Sequence, residues 1–230
     1  MSDSPSVLEL LSAYPLPEVD LPSIAVDLRL NPGDLTLIEV RNPAWVSEFA
    51  DLCCGLTALA GGAVRFLGRD WADLSETQAT ALRGRIGHVH ANRPWIEFMG
   101  TDQNILLPQL HHTRRPLGDL RDTAAELARH FGLPGLPLVS PEALTPADLA
   151  RAACVRAFLG DPRLLLLESP AEGEQDLVVP LLNALARTRD RGAAAIWLSC
   201  SELIWNDASF PATQRLRLTE RGLITLRSTL

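Results

Sequence analysis

The chain contains no lysine. All 21 of its basic residues are arginine, which excludes any chemistry that rests on a side-chain ammonium group. It holds a single tyrosine, and aromatic residues make up 5% of it. Long apolar runs are missing too: nothing approaches the roughly 20 residues of a membrane span. The opening MSDSPSVLELL lacks the charged start and long apolar middle of a secretory signal. Positive charge is not in excess: 21 basic residues stand against 28 acidic ones, a net charge of −7. The arginines are scattered, without a basic patch. This balance speaks against nucleic acid or anionic lipid as the main partner. Four cysteines are present, of which adjacent Cys53 and Cys54 have no metal-ligand spacing and fit buried, reduced thiols. The expected place is the cytoplasm, with any membrane role exercised through a partner.

What is there fits an α/β domain. At 230 residues and 47% hydrophobic, the chain can bury a full core with room for an inserted lobe. Residues 23–40 read as two strands around the turn Asn31-Pro32-Gly33-Asp34, the second an apolar run from Leu35 to Val40. A helical pattern follows from Val46 to Leu59, with Gly61-Gly62 as its stop, and AVRFLGRDW reads as a short strand. Ile86–His90 is strand-like. Residues 95–131 are helical and proline-interrupted, with a long helix near Leu117–Phe131, and 133–139 is a Pro/Gly-rich link. A helix over Pro146–Leu159 ends at Gly160-Asp161-Pro162. Leu164–Leu167 has the fully apolar look of a central parallel strand. A helix at 177–189, a strand at 193–198 and a terminal hairpin at 214–226 complete the pattern. Strands alternating with helices predict a mainly parallel sheet with crossovers.

Three stretches carry a family resemblance. LTPADLARAACVRAFLGDPRLLLLESP (144–170) is a helix, an aspartate-proline link, an apolar strand and an acid. GGAVRFLGRDWADL (61–74) follows the first helix. RIGHVHANRPWIEFMGTDQNILLP (85–108) opens a helical region. In order, they resemble the nucleotide-binding subunit of an ABC transporter along nearly the whole chain, and the last is most similar to ATPases of MCE-type lipid transport systems. The resemblance implies a P-loop NTPase-like sheet with an inserted helical lobe: one domain over 1–230, the lobe at 92–143. It implies ATP and Mg²⁺ as ligands. It also implies a membrane permease docked on the lobe around 92–116, and a homodimer or heterodimer with another ATP-binding subunit.

The residues that would carry the chemistry depart from the family's motifs. The phosphate loop, GxxxxGK followed by Ser or Thr, aligns with Val40-Arg41-Asn42-Pro43-Ala44-Trp45-Val46-Ser47. Glycines let backbone N–H groups turn onto phosphate; here Pro43 has no N–H and Trp45 brings bulk. Val46 stands at the lysine position, Arg41 lies five residues too early to replace it, and Glu48 and Asp51 place acids on the first turn of the helix. Ser47 matches the Mg²⁺-binding serine, and is equally an ordinary helix N-terminal residue. The Walker B acids align with Glu168-Ser169, where Glu168 keeps a carboxylate but Ser169 lacks the base that polarises water. The Q-loop glutamine aligns with Ala91 and the switch histidine with Cys200, which lacks the histidine's hydrogen-bonding capacity. The signature LSGGQ aligns with Leu144-Thr145-Pro146-Ala147-Asp148, and Tyr14 stands about where an adenine-stacking aromatic would.

His88 and His90 alternate on one strand, but without a third ligand in nearby sequence they read as packed or hydrogen-bonded residues. His111-His112 sits in a polar turn and reads as solvated. Trp95 and Phe98 fit either the core or a partner groove, and Ile105-Leu106-Leu107 fits either a core helix or a docking surface. The expectation is a degenerate nucleotide-binding subunit, a structural component of a transport complex, with no catalytic residue, metal or cofactor of its own. A working ATPase with an atypical loop and a soluble scaffold are the alternatives.

Overall fold

The computed structural model describes residues 5–92 and 94–225. Expectations that touch residues 1–4, Arg93 or Leu226, including the last residue of the terminal hairpin, lie outside them. The fold is the expected α/β one, built on two sheets. A four-stranded antiparallel sheet has the order β2-β1-β4-β5, from β1 (Leu8–Pro15), β2 (Val26–Leu30), β4 (Leu59–Phe66) and β5 (Arg69–Asp70). A six-stranded sheet has the order β10-β9-β3-β8-β7-β6. Its strands are β3 (Leu35–Val40), β6 (Ile86–Val89), β7 (Leu164–Glu168), β8 (Ala194–Ser199), β9 (Gln214–Thr219) and β10 (Gly222–Thr225). All its pairings are parallel except the β9–β10 hairpin.

Every residue of β3, β7 and β8 is buried, as expected of parallel strands covered on both faces. Alternation along them divides two cores. Ile38, Val40, Leu164, Leu166, Ile196 and Leu198 face α1 (Ala44–Cys53) and the antiparallel sheet. Leu35, Leu37, Leu165, Leu167 and Trp197 face the other helices. These include α3 (Thr101–His112), α4 (Leu117–His130), α5 (Pro146–Phe158) and α6 (Gln175–Asp190). Two short helices, α2 (Glu76–Arg83) and α7 (Glu202–Asn206), complete the set. Ile105 and Leu106 of α3 are core, whereas Leu107 is 39% exposed.

The structure adds to two expectations and corrects others. The two strands around Asn31–Asp34 form as expected, but in different sheets: β2 joins β1 in one and β3 joins β8 and β9 in the other. The turn is a crossing between sheets, held by Gly33 N–H to Ala193 O at 2.9 Å and Arg189 Nε to Gly33 O at 2.7 Å. The first helix does not run to Leu59. It stops at Cys53 because Gly55 turns the chain at φ 64°, where a Cβ would lie 2.2 Å from the Trp71 ring. Gly61 and Gly62 instead belong to β4. Strand β1 and helix α2 were not anticipated. Leu11 and Ser12 interrupt the alternation of β1 with a bulge, Ser12 at φ 46°.

Candidate functional site

The loop from β3 to α1 is short. Only residues 41–43 separate Val40 from Ala44, so α1 begins within what the resemblance places as phosphate loop. A helix N-terminus binds anions through its free N–H groups. Here they are taken up locally: Ala44 N–H donates to Asn42 Oδ1 at 3.1 Å, Trp45 N–H to Asn42 O at 3.0 Å, and Val46 N–H to Pro43 O at 3.2 Å. Trp45 is half-buried against the core, and Val46 is 2% exposed within it. Arg41 lies outside, 3.6 Å from Glu39, whose other oxygen receives Arg217 at 2.5 Å. The expectation of acids on the first turn fails: with the start at Ala44, that turn has none, and Glu48 and Asp51 fall further along.

Ser47 and Glu168 do meet. Glu168 ends β7 at 1% exposure. Its Oε2 accepts from the Ser47 hydroxyl at 2.7 Å and from Ala91 N–H at 3.0 Å. Its Oε1 lies 2.5 Å from His88 Nε2 and 3.8 Å from His90 Nδ1. The two imidazoles stack, ring centres 3.6 Å apart. The expectation that His88 and His90 are packed or hydrogen-bonded holds, and the sheet also brings to both of them Glu168, a third donor that nearby sequence did not offer. One donor atom from each of His88, His90 and Glu168 lies within 4.8 Å of the others. The signal was in the strands, since β6 and β7 are neighbours that end at the same edge.

This environment sets the charges. Burial pushes the Glu168 carboxyl up, but the hydrogen bond and charge of His88, with Ala91 N–H and the Ser47 hydroxyl, hold it below its usual range. Burial first, then His88, pushes His90 down to about 4. Burial also raises Asp51, against His88 and with Glu168. A cavity of about 380 Å³ opens beside the imidazoles, lined also by Asn104, Leu107 and Arg156. The Arg156 guanidinium sits 4.7 Å above the Trp95 ring and donates to Pro94 O at 2.9 Å.

The other aligned positions lie apart from this cluster. Ser169 follows β7 at φ 42°, its N–H donating to Leu198 O at 2.9 Å, a conformation that costs a non-glycine residue energy. It faces a cleft of about 640 Å³ with Ser199, Glu172, Glu174, Asp176 and Asp207. Cys200 is exposed just beyond β8. Ala91 contributes its backbone, not its side chain, to Glu168. Leu144 closes a short 3-10 turn. Thr145 caps α5, its Oγ accepting from Asp148 N–H at 3.1 Å and donating to Asp148 Oδ2 at 2.8 Å. Pro146 occupies the first helical position, where its missing N–H costs nothing, and Ala147 follows it. Among the described residues no hydrogen bond joins this helix start to Glu168. Tyr14 is half-buried on β1 opposite Gly61.

No protein-family model matches the chain. Individual relatives do. It is 28% identical over 166 residues to the macrolide export ATP-binding/permease protein MacB of Syntrophobacter fumaroxidans, a match spanning 70% of this chain but only 23% of that one. It is 26% identical over 190 residues to the lipoprotein-releasing system ATP-binding protein LolD of Alcanivorax borkumensis, covering 80% and 83%. It is 24% identical over 162 residues to the intermembrane phospholipid transport system ATP-binding protein MlaF of Haemophilus influenzae, covering 70% and 61%. The fold matches the ATP-binding cassette MJ0796, solved as a dimer bound to ADP and Pi. The TM-score is 0.81 at 18% identity, covering 96% of this chain and 99% of that one. The two-sheet architecture and these sequence likenesses agree: the chain resembles the ATP-binding subunits of ABC transporters, and its fold is that of their ATP-binding cassettes.

Proposed function

We propose that this subunit no longer runs a nucleotide cycle and serves as a structural component of a membrane transport complex. The observation that carries the reading is the closed start of α1. Its N–H groups are satisfied by Asn42 and Pro43, and the position aligned with the phosphate-loop lysine is a core valine. A Mg²⁺-bound triphosphate finds no N–H cradle and no cation there, and Ser169 supplies no general base. The residues do not fit the nucleotide, and no catalytic step is assigned to them.

The lobe at 92–143 is the surface we assign to a permease. Phe98 is 91% exposed and Leu138 73%, with Val139 and Leu110 also exposed, apolar side chains that a partner could cover. No helix among the described residues is long and apolar enough to cross a membrane, so attachment goes through that partner, on the cytoplasmic face. A second ATP-binding subunit completes the assembly, in the manner of the dimeric cassette. The names of LolD and MlaF point to a lipid or lipoprotein cargo. A working ATPase with an atypical loop is the second reading, favoured by the retained Ser47–Glu168 contact.

Two measurements test the proposal. Calorimetry of the purified chain with Mg-ATP is expected to show no binding, and phosphate release to match buffer. Micromolar affinity, or turnover that disappears in Glu168→Gln, would establish the working ATPase instead. Co-expression with a candidate permease is expected to recover a complex with the wild-type chain and to lose it with Phe98→Glu plus Leu138→Glu. Recovery of an equal amount with the double variant would remove the lobe as the docking surface.

A further inference from the structure

The strand ends that position Glu168 also position two imidazoles, and the function proposed above uses neither. β6 and β7 run parallel, with His88 beside Leu166 and Val89 beside Leu167. Two residues beyond His88 on the same strand face, His90 therefore comes level with Glu168. All three sit at the C-terminal edge of the six-stranded sheet, the edge at which open α/β sheets hold their ligands.

We propose that His88, His90 and Glu168 form a binding site for a divalent transition-metal ion, of which Zn²⁺ is the representative. The donor set is two imidazole nitrogens and one carboxylate oxygen. Imidazole suits Zn²⁺, Ni²⁺ and Cu²⁺, whereas Mg²⁺ calls for an octahedron of oxygens. Three protein ligands with a fourth position left for water or a small donor is the pattern of an open zinc site.

The geometry is close to what such an ion needs. Zinc bonds of about 2.0–2.1 Å in a tetrahedron place ligand atoms about 3.3 Å apart. Glu168 Oε1 lies 2.5 Å from His88 Nε2 and 3.8 Å from His90 Nδ1, so side-chain shifts of under about 1 Å bring all three to the ion. The second carboxylate oxygen is already fixed by the Ser47 hydroxyl and Ala91 N–H, the kind of outer support that orients a ligand. Side-chain exposure rises from 0% at Glu168 to 14% at His88 and 38% at His90. The cluster thus opens toward the 380 Å³ cavity, which gives an ion its route and its fourth ligand room. Asp51, whose carboxyl feels both His88 and Glu168, adds negative charge, and Arg83 and Arg156 are cations on the cavity side. Glu168 aligns with the Walker B acid and Ser47 with the Mg²⁺-binding serine, but His88 and His90 align with no nucleotide-binding motif, so the histidine variants test the metal site apart from the transport reading.

The test uses the full chain, stripped of metal with a chelator and returned to chelator-free buffer. Titration with Zn²⁺ by calorimetry is expected to give one equivalent of micromolar or tighter affinity, undiminished by millimolar Mg²⁺. Titration with Co²⁺ is expected to give the intense visible absorption of a four- or five-coordinate ion. His88→Ala and His90→Ala should each weaken Zn²⁺ binding by about 100-fold or more, since loss of a mere outer partner costs about 10–100-fold. Cys200→Ser and His111→Ala should leave it unaltered. His90 is partly exposed, so its variant is expected to fold; Zn²⁺ should raise the melting temperature of the wild type and not of His90→Ala. Absence of micromolar Zn²⁺ binding to the wild type overturns the proposal. So does affinity that survives in both histidine variants, which would place the ion on a surface thiol or on the His111-His112 pair.

Discussion

Ser47 Oγ donates a 2.7 Å hydrogen bond to Glu168 Oε2, joining the first turn of α1 to the end of β7 across 121 positions of sequence. The acceptor is a buried carboxylate with two further partners, Ala91 N–H and His88. The contact therefore anchors a network rather than a single pair.

Ser47→Ala removes one charge-assisted bond and leaves Glu168 its other two. It is expected to lower stability by about 1.5–3 kcal/mol, read as a fall in the urea midpoint at unchanged slope. A change below about 0.5 kcal/mol, the range of featureless surface substitutions, would show that the contact does not hold α1 to the sheet.

Val46→Lys, the substitution that would restore the phosphate-loop lysine, is expected to damage the protein. Val46 is 2% exposed in the core between α1 and the sheet, so the ammonium group must be buried without a partner or drag the helix outward. A loss of about 4 kcal/mol fits burial of an unpaired charge. Thermal melts give the cost and a phosphate-release assay the activity. A stable variant that hydrolyses ATP would show that the loop keeps a latent phosphate site.

Thiol labelling separates the cysteines. Cys53, Cys54 and Cys154 are buried and Cys200 is exposed. Burial, then the Asp51 carboxylate, pushes the Cys54 thiol up to about 12. One thiol is expected to react in the native protein and four in denaturant. Burial and then Glu172 also raise Cys200. Its thiolate fraction at neutral pH is therefore small, and labelling should quicken as pH rises through and beyond the usual thiol range. Glu172→Gln removes the repulsion and should speed the reaction at fixed pH; an unchanged rate would mean that Glu172 does not act on the thiol.

Gly87→Ala tests how tightly α5 lies on β6. A Cβ at Gly87 would fall 2.0 Å from the backbone oxygen of Ala157, which cannot swing aside as a side chain would. Overpacking here is expected to cost about 1–3 kcal/mol, measured by denaturant titration. A neutral result would mean that the helix slides freely on the strand.

The parts of this architecture legible in sequence were those whose residues speak for themselves. The leucine run of β7, the amphipathic pattern of α4 and the glycine-aspartate-proline stop after α5 needed no partner to be recognised. Strand β1 was missed because a bulge at Leu11 and Ser12 breaks its alternation. Residues 23–40 gave two correct strands but not their partners, because a turn does not say which sheet its second strand enters. The start of α1 was placed at Val46 by its apolar pattern, whereas the helix begins at Ala44, where Asn42 and Pro43 take up its first N–H groups. The site had the same weakness. His88 and Glu168 are 80 positions apart, and only the parallel pairing of β6 with β7 makes them neighbours.

The crossing at Asn31–Asp34 also governs when this protein can fold during its synthesis. The antiparallel sheet draws all its strands from residues 8–70, so it can close early, while the ribosome is still at work. β3 cannot. Its edges await β8 and β9, and Leu35 bonds to Thr213, 178 positions later. Contacts of that separation form slowly, and an apolar strand left waiting invites association with other chains. The nascent subunit therefore carries an unsatisfied strand through almost the whole of translation, and the demand for chaperone cover falls on that interval.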